Sequence, residues 1–171
     1  MLSRAGRLRR APLPIAVSVI VALSLLGGCG EDEAETPTAC LSPASAYLAA
    51  LEAAPQPVLV DGSTPISECL VADQAPAEQG QVGEELIKAA TQLNADARRR
   101  TDRDATVQLG YLIGAAQQGA AESGGTESGG IHTDLLRRLD SAARFSEGGK
   151  QLPASFERAF GEGYAAGQEG G

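Results

Sequence analysis

Aromatic and imidazole side chains are scarce in this chain, and that scarcity narrows what it does. Its 171 residues include no Trp, three Phe, three Tyr and a single His, His132. So few aromatic faces leave little to stack against sugar rings. One imidazole restricts Ser-His-Asp or Cys-His chemistry to His132, which follows a glycine-rich stretch and has no Cys nearby. At a helix start or on the surface such a residue is ordinary, and no catalytic residue is assigned. No P-loop, dinucleotide-binding glycine pattern, zinc-ligand spacing or calcium-loop spacing occurs, so neither cofactor nor metal is expected. Long apolar runs are missing as well. The run from Ile15 to Leu26 covers roughly 12 residues, whereas a bilayer span needs about 20.

That short run has a specific setting. Arg4, Arg7, Arg9 and Arg10 precede it, no acidic residue occurs before Cys29, and Leu26-Gly27-Gly28-Cys29 follows. A basic start, a short apolar core and a small-residue cleavage site make a secretory leader. The four final residues resemble the lipobox of bacterial lipoproteins. The resemblance implies that residues 1–28 are a signal peptide, and that the Cys29 thiol takes a thioether-linked diacylglycerol. Two or more acyl chains anchor a protein stably. The expected location is then the extracytoplasmic face of the cell membrane, or the outer membrane in a two-membrane envelope.

Basic residues become few once the leader is gone. Loss of its four arginines takes the formal charge from −8 to −12 and leaves ten basic residues against twenty-two acidic ones. That balance excludes nucleic acid and anionic membrane surfaces as expected partners. Residues 29–39 carry Glu31, Asp32, Glu33 and Glu35 with no aliphatic side chain larger than Ala, and read as a disordered acidic tether. Ten such residues extend to about 33 Å. Two cysteines remain, Cys40 and Cys69. In an oxidising compartment they are expected to pair as a structural disulfide.

Residues 40–167 read as one all-α domain, a small bundle of four to five helices. Ser42-Pro43 starts a helix with Tyr47, Leu48 and Leu51 on one face, stopped by Pro55 and Pro57. Val58-Leu59-Val60 is extended, Asp61-Gly62 turns, and Thr64-Pro65 opens a short helix bearing Ile66, Cys69 and Leu70. Val82, Leu86, Ala90, Leu93 and Ala97 then repeat at helical spacing. Residues 82–121 form either one helix, pairing Arg98 with Asp102 and Arg100 with Asp104, or two with Thr101 as cap. The break is favoured, because so long a helix is rare in a domain of this size. Arg98-Arg99-Arg100 allows an anion-binding patch, but the interleaved acids favour a solvated, salt-bridged face.

A stripe of Leu109, Leu112, Ile113, Ala116 and Ala120 follows, with Gly110 and Gly114 placed to let a neighbouring helix approach closely. Ser123 to Gly130 reads as a flexible connector. Ile131, Leu135, Leu139 and Ala142 define the next helix, ended by Gly148-Gly149. Pro153 starts the last, with Phe156, Phe160 and Tyr164 on one face, and residues 168–171 are expected to fray as a disordered tail. Glu122-Ser123-Gly124-Gly125, echoed by Glu127-Ser128-Gly129-Gly130, resembles the sequence around the catalytic acid of lytic transglycosylases and resuscitation-promoting factors. It implies a peptidoglycan lytic enzyme with Glu122 as proton donor. The match covers four residues, the family's downstream Gly-Leu-x-Gln type signature is missing, and a linker repeat explains the doubled motif more simply. The expected role is therefore non-enzymatic: an envelope accessory protein that docks a protein partner, with small-ligand binding or sensing as the alternative.

Overall fold

Five helices and one two-stranded hairpin account for nearly all regular structure in the computed structural model, which describes residues 35–100, 102–124, 132–146 and 152–171. Cys29 and residues 30–34 of the tether lie outside the described residues, as do Thr101 and the stretches 125–131 and 147–151. The helices are α1 (Ala44–Leu51), α2 (Pro76–Arg100), α3 (Arg103–Glu122), α4 (Thr133–Arg144) and α5 (Ala154–Gly170). The strands are β1 (Leu59–Val60) and β2 (Thr64–Pro65), antiparallel, with Leu59 opposite Pro65 and Val60 opposite Thr64. The all-α expectation holds, with the hairpin as a small addition.

Local chemistry explains the boundaries. The hairpin turns where Asp61 and Gly62 both take positive φ, 53° and 72°, a conformation that Asp and Gly tolerate best. Thr64-Pro65 starts no α-helix; it is paired as β2, and Ile66–Cys69 forms a single 3-10 turn. The long helix is broken as favoured, but the cap is Asp102. Its carboxylate accepts from the Asp104 and Ala105 amides at 3.0 and 3.4 Å, meeting two of the first-turn donors that a helix leaves open. Ser42 does not cap α1. The Ala44 amide instead donates to the Glu85 carboxylate of α2 at 2.7 Å. The Lys88 ammonium and that amide hold Glu85 below the usual carboxylate pKa.

Cys40 and Cys69 lie at disulfide distance, with sulfurs 2.00 Å and Cα atoms 5.3 Å apart. They tie the 3-10 turn Thr38–Leu41 to the turn Ile66–Cys69. Tyr47, fully buried beside them, donates its hydroxyl to the Cys40 carbonyl at 2.6 Å, and burial raises its pKa. The tether is ordered sooner than its composition implies. Thr36 is buried and accepts from Gln74 Nε2 at 2.8 Å, which fixes its last residues to the start of α2.

The bundle has two ends. Leu135 of α4 packs over Gly83 of α2, and Asn94 further along α2 donates to the Ala142 and Phe145 carbonyls, so the two helices run parallel. α3 and α5 are also parallel and nearly touch. A methyl group at Gly110 or Gly114 would overlap the carbonyls of Phe160 or Tyr164, and one at Gly163 or Gly167 those of Val107 or Tyr111. The Gly110/Gly114 pair thus admits a helix as expected, and Gly163/Gly167 answers it from the other side. This contact overturns the frayed tail. α5 runs to Gly170, whose carbonyl accepts from Tyr111 Oη at 2.7 Å, while the Gly171 carbonyl accepts from Ser67 Oγ. A side chain is not needed to bury a tail whose backbone is itself the packing surface.

Candidate functional site

The C-terminal ends of α2 and α4 meet the N-terminal ends of α3 and α5 around an open groove of about 1410 Å³. Its apolar surface includes Ile87, Ala142, Phe145, Leu152 and Phe156. Phe145, the residue just past α4, is 63 % exposed. Among the described residues only Leu59 joins it as an exposed large apolar side chain.

Charge is concentrated here. Arg98, Arg99, Arg103, Arg138 and Arg158 line the groove, half of the ten basic residues beyond position 28, against two acids, Asp102 and Glu162. The five differ in their engagements. Arg99 pairs with Asp96 at 2.7 Å and Arg103 with Glu162 at 2.5 Å, both across exposed surfaces. Arg138 and Arg158 are exposed and have no ion-pair partner among the described residues.

Arg98 is held from two sides. Its Nε donates to Asn94 Oδ1 at 2.6 Å, and its guanidinium carbon stands 5.5 Å from the centroid of the Phe156 ring. Asn94 is itself fixed by donating to the Ala142 and Phe145 carbonyls at 2.9 and 3.0 Å. The guanidinium therefore has little freedom to turn. Its Nη2 is buried and has no hydrogen-bond partner among the described residues, although buried donors are normally satisfied. The salt-bridged reading of the arginine run is thus correct for Arg99 and incorrect for Arg98. Asp102, its expected partner had the helix continued, is engaged in capping α3.

The other sequence candidates lie elsewhere. His132 is no surface residue: it is fully buried at the start of α4, with Nε2 3.2 Å from the Val71 carbonyl. Its Nδ1 has no partner among the described residues, and burial lowers its pKa. Glu122 stands exposed at the end of α3, accepting from Gln118 Nε2 at 2.5 Å, and does not line the groove. Gly125 and the second Glu-Ser-Gly-Gly copy lie outside the described residues, as does Cys29.

No cluster of His, Cys, Asp and Glu able to hold a metal ion occurs among the described residues. Among the same residues no helix is long and apolar enough to cross a membrane. The arginine run was the one signal in the sequence that pointed to the groove. Comparison with protein-family models, with curated proteins and with solved structures finds no match.

Proposed function

We propose that this is an exported protein, lipid-anchored through Cys29, that serves in the cell envelope as a non-enzymatic accessory module and docks a protein partner in the groove between α2, α4 and α5. The lipobox-like Leu26-Gly27-Gly28-Cys29 supports the anchor, and the Cys40–Cys69 pair is compatible with an oxidising compartment. The observation that carries the docking role is the groove itself, an apolar floor and an arginine rim on a chain that is otherwise strongly acidic. Its size favours a protein segment over a small ligand: about 1410 Å³ exceeds the usual 300–1,000 Å³, roughly, of small-molecule pockets. Anchoring both proteins in one membrane raises their effective concentration, so weak contacts suffice.

The test is an in-cell cross-link and pull-down of the anchored protein, with Cys29→Ser as control. A recurrent partner lost in the control is the expected result, together with release of that variant from the membrane. A variant that stays with lipid would refute the anchor. An empty pull-down would refute the accessory role and turn attention to small molecules that co-purify.

A further inference from the structure

We propose that the groove receives an acidic, partly apolar segment of the protein partner, one carboxylate of which pairs with the Arg98 guanidinium. The inference rests on the docking role above and names the chemistry of its occupant.

Arg98 is the anchor. Asn94 holds its Nε, the Phe156 ring covers one face, and no carboxylate pairs with it among the described residues. An arriving oxyanion meets a guanidinium already oriented, so little is lost in ordering it.

The surrounding charges specify more than one anion. Arg138 on α4 and Arg158 on α5 lack ion-pair partners among the described residues. With Arg98 on α2, three guanidinium groups from three helices have no paired carboxylate among the described residues. Acidic residues spaced along one segment match several cations carried on different helices, whereas a small anion supplies a single charged group. Phe145 and Leu152 beside them offer apolar contact, and an exposed Phe in such a place gains most when covered.

Two other sources of carboxylate or phosphate fit less well. The chain's own acidic tether starts from Thr36, bonded to Gln74 beside the first turn of α2. Arg98 lies about 33 Å further along that helix. Residues 31–35 span at most about 18 Å, too short to bring their carboxylates to Arg98 of the same molecule. A bilayer headgroup is disfavoured for a related reason: the tether joins the domain at the end opposite the groove.

The test uses the full chain in zwitterionic nanodiscs and fluorescein-labelled peptides, read by anisotropy. Alternating glutamate and leucine is the probe, with lysine–leucine and glutamate–serine peptides as controls. The glutamate–leucine peptide is expected to bind, the lysine peptide not at all, and the serine peptide more weakly. Arg98→Gln and Arg98→Lys are each expected to weaken binding about tenfold or more, since lysine keeps the charge but not the fork. The double variant Arg138→Glu/Arg158→Glu changes two exposed side chains, leaves the core intact, and is expected to abolish binding. Failure of the peptide to bind, or equal affinity in all variants, would overturn the proposal. So would groove-dependent binding to phosphatidylglycerol vesicles that excludes the peptide, which would make the ligand a lipid. If the cellular partner survives the double variant, the docking role stands and this assignment of the groove falls.

Discussion

Two glycines two residues apart in α5, on opposite faces of the helix, should respond to the same substitution with opposite signs. Gly161 is exposed, and a Cβ there meets nothing within 4 Å. Gly161→Ala should therefore yield the ordinary helix-propensity gain, about 1 kcal/mol. At Gly163 the same methyl group would overlap the Val107 carbonyl and crowd the Tyr111 amide. Those are backbone atoms of α3, so relief requires the helices to separate. Overpacking costs about 1–3 kcal/mol, and a backbone obstacle puts this site at the upper end. Set against the propensity gain, a net loss of about 2 kcal/mol is expected. For a domain of about 130 ordered residues, unfolding entropy makes 1 kcal/mol worth about 3–4 °C in Tm. Gly161→Ala should melt about 3 °C above the parent and Gly163→Ala about 7 °C below it. The assay is thermal unfolding of the oxidised protein, followed by circular dichroism at the helical minimum. If Gly163→Ala melts as high as Gly161→Ala, the two helices do not meet through bare backbone and the packing argument fails.

Two further outcomes follow from buried polar groups. Tyr111 Oη accepts from the Val58 amide at 3.0 Å and donates to the Gly170 carbonyl at 2.7 Å. Tyr111→Phe leaves a buried amide open and should cost about 1–3 kcal/mol in chemical denaturation. It should also speed hydrogen exchange at the end of α5, and unchanged exchange there would show that the tail is held by something else. His132 carries a pKa lowered from 6.5, chiefly by burial and against the pull of its Val71 hydrogen bond. The unfolded chain therefore binds this proton first as pH falls. Stability should be undiminished above about pH 6.5 and decline below it, until the folded state is protonated too. Denaturation midpoints at about pH 7.5 and pH 5.5 should differ more for the parent than for His132→Gln; equal differences would remove His132 as the cause.

Much of the helical layout was legible because it depends on neighbours in sequence. The stripes at Val82 to Ala97 and Leu109 to Ala120 became α2 and α3, and Asp61-Gly62 turned the hairpin. The errors fell where local rules compete. Three residues near the break, Thr101, Asp102 and Asp104, are all acceptable caps by type, and backbone geometry at Asp102 decided among them. Ser42 lost its capping role because Glu85, forty-odd residues away, reached the same amide. His132 does stand at a helix start, one of its two readings, but not on the surface: a lone polar residue beside a glycine stretch gives no sign of burial until the Val71 carbonyl is seen next to it.

The groove marks the boundary most clearly. Arg98-Arg99-Arg100 was visible as a cluster of charge, yet its meaning differed residue by residue once folded. Arg99 found an acid on its own helix, whereas Arg98 found an aromatic ring from α5 and an amide held by α4. By itself the sequence determined the helical segments and the paired cysteines, since each depends on periodicity or count. Tertiary structure alone decided that the glycines of α3 face those of α5, that the tail is packed and that five arginines share one groove. Those outcomes join residues up to 104 positions apart, brought together by the burial of apolar faces and not by any preference of the local chain.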